Sequence, residues 1–205
     1  MIRTNVRMRR AALTTLTAAL LGAATPALLP TPAHAASTGM VCFFQDKEAA
    51  PVPVGHVAAG HVAWAIRDPK NSNHWIWGST ENREGDSSTD PGKNNGSWIK
   101  GGTWAQMRST LNRPTGKYRH IYDYYRCRRT SGGNLAAAQV TYRKMAANGY
   151  KVLTNNCLTK SIAIFRSYNN GLTTKYLPDG KFKAPNYYFT TTLNDTPGWA
   201  GARRY

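Results

Sequence analysis

Runs of apolar residues in the middle of the chain predict short β-strands. The first run is Met40–Phe44. The second is Gly60–Ile66, which is rich in β-forming residues and is bounded by Gly60 and by Asp68-Pro69. A turn-forming Asn-Ser-Asn then separates the second run from His74–Gly78, which is predicted to be its hairpin partner. The aromatic, alternating stretch from Tyr118 to Cys127 predicts one more strand.

Two later segments have apolar residues at helical spacing. The first follows several candidate N-caps at 131–134, ends at Gly149, and has its apolar positions at Leu135, Ala138, Tyr142 and Met145. A short strand is predicted over Tyr150–Leu153. The second helix is predicted to begin at Cys157 behind Thr-Asn-Asn and to close at 169–171, with an apolar stripe at Leu158, Ile162 and Phe165.

Two regions lack a regular pattern. The polar segment from Glu81 to Gly102 contains Asp-Pro-Gly and Asn-Asn-Gly, which predicts a surface loop. The tail from Leu172 to Tyr205 is aromatic and interrupted by Gly and Pro, so the sequence predicts no element there. The chain shows no repeat of domain size and no long linker, which favours a single domain over residues 36–205.

The N-terminal 35 residues have the pattern of a secretory signal. Four arginines precede the uncharged apolar run 11–24, and Ala33-His34-Ala35 matches a small-x-small cleavage pattern. We therefore expect residues 1–35 to be a signal peptide, residues 36–205 to be a single domain, and the protein to be secreted. No other apolar run is long enough to predict a membrane span.

The chain of 205 residues has 27 Lys and Arg against 10 Asp and Glu, a net charge of +17. Residues 36–205 keep 23 basic and 10 acidic residues, so their net charge is +13. Clusters such as Arg126, Arg128 and Arg129, or Arg203 and Arg204, indicate an anionic wall polymer as a candidate partner. Nucleic acid is not favoured because no nucleic-acid-binding motif is visible.

The three cysteines all lie in the predicted secreted part, where an oxidising compartment favours disulfides. Cys42 and Cys127 both fall in predicted strands, so we predict a Cys42–Cys127 disulfide and a free Cys157. The alternative pairing, Cys127–Cys157, would remove the free thiol. An odd cysteine is left for a partner chain or for chemistry.

A free cysteine at the start of a helix is suited to nucleophilic catalysis. Backbone N–H groups and the helix dipole favour the thiolate there, and an imidazole nearby can act as general base and acid. His61, on the second predicted strand, is the best candidate for the base. His56, in the similar Gly-His-Val of the preceding loop, is its rival.

Three motifs resemble the circularly permuted branch of the NlpC-type papain-like superfamily, which is similar to lecithin:retinol acyltransferase. They are Gly-His-Val-Ala-Trp at 60–64, Trp-Gly-Ser-Thr-Glu at 77–81 and Asn-Asn-Cys at 155–157. The resemblance covers roughly residues 55–170. It implies an α+β fold with a small antiparallel sheet packed on helices, with Cys157 as nucleophile and His61 as base.

The resemblance also implies a polar third residue on the strand after the histidine. His74, Ser79 and Glu81 are the candidates, and Ser79 and Glu81 share a face by alternation. Glu81 is preferred because a carboxylate stabilises an imidazolium better than a hydroxyl does. The oxyanion donors are expected to be the backbone N–H of Cys157 and a neighbour, with Asn156 as a possible helper.

The sequence therefore predicts a secreted, monomeric thiol hydrolase that cleaves an amide bond in peptidoglycan-like peptides. Two alternatives stay open: an acyltransferase or thioesterase with the same Cys–His pair, and a non-enzymatic protein that binds a wall polymer or a partner protein. No cofactor is predicted. A zinc site is not favoured because the candidate histidines have no recognisable ligand spacing (His56, His61, His74 and His120).

Overall fold

The two central strands of the structure are apolar through their middle residues, where both of their faces are covered. The computed structural model describes residues 38–49, 58–82, 86–93, 95–113 and 120–205, all within the unit 34–205. The predicted signal peptide and His56 lie outside the described residues. The first central strand, β1, is Gly39–Asp46, and the second, β2, is His61–Arg67; nearly every side chain in both is buried.

Six antiparallel strands form the main sheet, and the described helices pack on it. In chain order the strands after β2 are β3 (Trp75–Ser79), β4 (Ser88–Thr89), β5 (Trp98–Gly102), β6 (Tyr124–Thr130), β7 (Tyr150–Lys151) and β8 (Arg203–Arg204). The sheet order is β5-β3-β2-β1-β6-β8, while β4 and β7 pair separately. The helices are α1 (Trp104–Leu111), α2 (Leu135–Ala147), α3 (Cys157–Tyr168) and α4 (Pro185–Tyr187), which continues into the π-helical turn Tyr188–Thr192.

The sheet has two faces with separate apolar cores. On the α3 face, alternate side chains of β2 such as Val62 and Trp64 pack against α2 and α3. On the α1 face, the intervening side chains such as Ala63 pack with Trp77 and with Met107 of α1. The fold is therefore α+β with an antiparallel sheet packed on helices, as predicted.

Both predicted helices are confirmed. Asn134 caps α2 by accepting the backbone N–H of Ala137, and Asn156 caps α3 by accepting that of Thr159. Cys157 is the first residue of α3, as the capping pattern predicted. Within the described residues, no helix is long and apolar enough to cross a membrane.

The predicted disulfide is also confirmed. Cys42 of β1 and Cys127 of β6 lie directly opposite each other, with their Cα atoms 4.1 Å apart, and they are bonded. Cys157 is a free, buried cysteine. The alternative Cys127–Cys157 pairing is therefore wrong.

Two predicted boundaries are wrong. The segment from Glu81 to Gly102 is not all loop, because β5 pairs with β3 at the edge of the sheet. An edge strand needs only one buried side chain to anchor it, here Trp98, so its apolar pattern is weak. The predicted strand Tyr118–Cys127, whose first two residues lie outside the described residues, corresponds to β6, which begins at Tyr124 and ends at Thr130. Its near-edge position leaves Arg128 partly exposed and Arg129 exposed.

Candidate functional site

The imidazole of His61 is held by two side chains from the neighbouring strand. His61 begins β2, Ser79 ends β3, and alternation places both side chains, with that of Glu81, on the α1 face. The Nε2 atom of His61 lies 2.7 Å from Ser79 Oγ and 3.5 Å from Glu81 Oε1. Both of the residues that the sequence left as alternatives on this face therefore contact the imidazole.

Glu81 is a buried carboxylate held in its charged form. Only 1% of the residue is exposed, and burial acts to raise its pKa. The electrostatic interaction with His61 and the hydrogen bond and electrostatic interaction with His120 outweigh burial and lower the pKa of Glu81 to about 2. Glu81 can therefore stabilise an imidazolium throughout the ordinary pH range.

His120 is a site residue that the sequence reasoning did not assign to this group. Its Nδ1 lies 2.8 Å from Asp46 Oδ2, and its Nε2 lies 3.2 Å from Glu81 Oε2. Its ring stacks on that of His61 at 4.0 Å between centroids, with 6° between the planes. Burial acts to lower the pKa of His120, but the two carboxylates raise it to about 9.

His120 could hardly be found from sequence, because it precedes β6 in irregular chain. Only the pairing of β1 with β2, which places Asp46 directly opposite His61, reveals where a histidine could join the group. The histidine cluster is the name we give to this group of largely buried side chains: Asp46, His61, Ser79, Glu81 and His120.

Cys157 lies next to β2 but on its other face. The sulfur takes a hydrogen bond from the backbone amide of Val62 and interacts with the Tyr150 hydroxyl, and only 2% of Cys157 is exposed. Burial is the main cause that raises the pKa of the thiol to about 11, and the negative charge of Glu81 adds to it. Val62 belongs to the α3 face, whereas His61 points to the α1 face.

The structure therefore brings only some of the predicted site residues together. His61, Ser79 and Glu81 are joined by contacts, and Cys157 rests against the residue that follows His61 in β2. His74 lies apart, at the other end of β3, with its Nδ1 3.6 Å from Asp68 Oδ2.

Asn156 has a structural role in the helix start. Its Oδ1 accepts the backbone N–H of Thr159 at 3.0 Å, and its Nδ2 donates to the carbonyl of Val152 at 2.6 Å. The backbone N–H of Cys157 donates to the Tyr150 hydroxyl at 3.3 Å. Tyr150, which sequence reasoning did not single out, therefore contacts the thiol and the backbone amide of the same cysteine.

No known protein family, curated protein or solved structure significantly matches this chain. The resemblance to the permuted papain-like branch therefore rests on its motifs alone.

A concave feature lies where β6 and α1 meet the C-terminal tail. It has a volume of about 780 Å³ and contains no acidic side chain among its described lining residues. Three arginines and several aromatic rings line it, including Arg128, Arg129, Arg203, Trp75, Trp104 and Trp199. We call it the arginine–tryptophan groove.

Proposed function

We propose that the protein is a secreted thiol hydrolase that cleaves an amide bond in cell-wall peptides. Cys157 is the nucleophile, His61 is the general base and then the general acid, and Glu81 stabilises the imidazolium. The observation that carries the proposal is that Ser79 and Glu81 both contact Nε2 of His61. Because these contacts fix the imidazole of His61 through Nε2, the other ring nitrogen, Nδ1, is left for proton transfer.

The raised pKa of Cys157 determines how this pair would work. A thiol with a pKa of about 11 is protonated near pH 7, so it becomes a nucleophile only when a base removes its proton. His61 is one residue from the amide that bonds the sulfur. Because the imidazole of His61 lies on the α1 face and the thiol of Cys157 lies on the α3 face, we propose that the two groups meet around His61, the first residue of β2.

The chemical steps balance within the chain and its substrate. Proton transfer from the thiol to His61 accompanies formation of a bond between sulfur and the substrate carbonyl carbon. The imidazolium then gives that proton to the leaving amine as the C–N bond breaks, which leaves a thioester on Cys157. Water, deprotonated by His61, releases the acid and restores the thiol.

The start of α3 is suited to stabilising the oxyanion of this reaction. The Cys157 N–H points at the Tyr150 hydroxyl, and we propose that the substrate oxygen takes that position. The Tyr150 hydroxyl, displaced from the Cys157 amide, would then donate a hydrogen bond to the same oxygen. Asn156 acts indirectly, by fixing the first turn that carries the Cys157 amide.

The substrate class follows from the predicted export and from charge. A domain that carries +13 after removal of the predicted signal would accumulate at anionic cell-wall polymers. Amide bonds in wall peptides would be available to it there. The test is incubation of the secreted protein with purified peptidoglycan, with released amines measured alongside the intact mass of the enzyme.

The expected result is release of amines by the wild type, a mass increase on Cys157 during turnover, and neither with Cys157→Ala. His74→Ala is the matched control, since His74 contacts Asp68 outside the histidine cluster, and it should retain activity. Full activity of Cys157→Ala would overturn the thiol mechanism. Acyl transfer to an added amine without hydrolysis would instead identify a transferase.

The arginine–tryptophan groove supports a second candidate, a protein that binds an anionic wall polymer without cleaving it. Guanidinium groups pair with phosphate or carboxylate, and tryptophan rings stack on sugars or other planar groups. This candidate predicts that Arg129→Ala with Arg203→Ala weakens binding of the protein to teichoic acid at least tenfold. It further predicts that Cys157→Ala binds like the wild type. Equal binding by the arginine variant and the wild type would refute it.

A further inference from the structure

Three side chains of the histidine cluster place metal-binding atoms close together. His61 comes from β2, Glu81 follows β3, and His120 precedes β6. One ligand atom from each lies within 4.8 Å of the other two. Among the described residues, this is the one group of three or more His, Cys, Asp or Glu residues with such a spacing. A set of two imidazoles and one carboxylate is found at zinc sites in which a further position remains for water or substrate.

The distances in this group fit a small transition-metal ion. Bonds of 2.0–2.1 Å in a tetrahedral arrangement separate two ligand atoms by about 3.4 Å. His61 Nε2 and Glu81 Oε1 are 3.5 Å apart, and His120 Nε2 and Glu81 Oε2 are 3.2 Å apart. The two imidazoles and the carboxylate thus need small shifts to surround one ion.

Asp46 supplies the outer partner that a metal-binding histidine needs. Its Oδ2 lies 2.8 Å from Nδ1 of His120, so Nδ1 carries the proton in that bond and Nε2 is directed at Glu81. A carboxylate bonded to the far nitrogen of a histidine ligand fixes both the tautomer and the ring orientation. This contact is the observation that favours a built metal site over a chance grouping.

The ring arrangement and the exposure define what binding requires. The two rings are stacked in parallel at 4.0 Å, so each must tilt towards Glu81 for both Nε2 atoms to point at one ion. The side chain of His120 is 19% exposed and that of Asp46 11%, whereas that of Glu81 is 2% exposed. An ion can therefore reach the group from the His120 side.

We propose that His61, Glu81 and His120 bind one Zn²⁺ ion, with Asp46 as the outer partner of His120. Imidazole nitrogen favours zinc and cobalt over magnesium and calcium, which prefer sites made of oxygen alone. One consequence rests on the proposed function: the ion would bind Nε2 of His61, the general base. Zinc then inhibits the hydrolase.

Zinc binding is measured directly on the folded, full chain, without a substrate. Competition between the protein and a chromophoric zinc chelator should show one site in the wild type. Co²⁺ should give the visible absorption of a four- or five-coordinate ion, and excess Mg²⁺ should not compete.

Four variants locate the ligands. His120→Ala and Glu81→Gln should each weaken zinc at least 100-fold, and Asp46→Asn should weaken it about tenfold. His74→Ala, a histidine outside the cluster, should bind as the wild type does. Circular dichroism of each variant checks that it is folded, and His120→Gln replaces His120→Ala if the latter is not.

Two results would overturn the zinc proposal: no binding at micromolar zinc by the wild type, or equal weakening in His74→Ala and His120→Ala. The outcome is separable from that of the proposed hydrolase. One zinc bound by a protein that has no hydrolase activity supports the site and refutes the activity. Thiol-dependent hydrolysis by a protein that binds no zinc does the reverse.

Discussion

The two faces of the sheet around β2 hold different kinds of chemistry. On the α3 face, the Cys157 thiol lies among apolar side chains, and burial raises its pKa to about 11. On the α1 face, the histidine cluster pairs imidazoles with carboxylates, and the pKa of Glu81 falls to about 2. Burial dominates on the first face and charge pairing on the second, although both groups lie against neighbouring residues of one strand.

In the proposed mechanism, a proton passes between the two faces. Cys157, whose thiol has a raised pKa, would give its proton to the imidazole of His61. The two groups would meet at the first residues of β2.

The largest expected effect concerns what holds the α1 face together. Replacing Cys42 and Cys127 by alanine opens a loop of 85 residues, which in the chain-entropy view lowers the free energy of unfolding by about 4–5 kcal/mol. Urea denaturation of this double variant and of the wild type measures the loss. A decrease in the free energy of unfolding of less than about 1 kcal/mol would show that the disulfide does not stabilise this face.

The next effect concerns a buried lysine on the α3 face. Lys160 is fully buried, and its ammonium donates to the backbone carbonyls of Met145 and Gly149 and, at 2.8 Å, to Asn148 Oδ1. Because Lys160→Met leaves these acceptors at the end of α2 without their donor, it should cost about 3 kcal/mol. Lys144→Met, at an exposed position on α2, is the control and should cost under about 0.5 kcal/mol; equal costs would contradict the assigned role.

The thiol itself gives a chemical measure of the α3 face. Iodoacetamide reacts with thiolate, so the rate at Cys157 should rise about tenfold per pH unit from pH 7 and level near pH 11. An ordinary thiol levels above about pH 8.5. Mass spectrometry of the native protein follows the labelling. A rate that is already level at pH 7 would show that a stable thiolate exists and that the raised pKa is wrong.

The smallest effect concerns the start of α3. Asn156→Ala removes the side-chain cap and should cost about 1 kcal/mol, as should Asn134→Ala at the start of α2. Only the Asn156 variant should change the labelling rate of Cys157, since only that cap fixes the turn beside the thiol. Equal labelling in both variants would show that the cap does not position Cys157.

The start of α3 and its apolar stripe were more predictable from the sequence than most of the α1 face. Asn156, Cys157 and the apolar stripe of α3 were predictable because capping and helical spacing are local properties. The alternation of β3 also predicted that Ser79 and Glu81 share a face. The disulfide followed from counting cysteines and from their placement in strands.

The rest of the α1 face depends on contacts between distant parts of the chain. His120 joins the cluster only because β1 pairs with β2 and carries Asp46 to the same end of the sheet. The edge strand β5 has one buried anchor, Trp98, and α1 shows only a weakly apolar face with Met107 and Leu111 buried. Neither element has a periodic pattern of apolar residues strong enough to be predicted from the sequence.

The most direct test of the central claim is a double-variant comparison of amide hydrolysis on purified peptidoglycan. Cys157→Ala and His61→Ala should each lower the rate at least 1,000-fold, and the double variant should be no slower than either single one, because a nucleophile and its base act as a unit. Losses that multiply in the double variant, or a Cys157→Ala protein that keeps its activity, would contradict the claim that the two faces share one reaction.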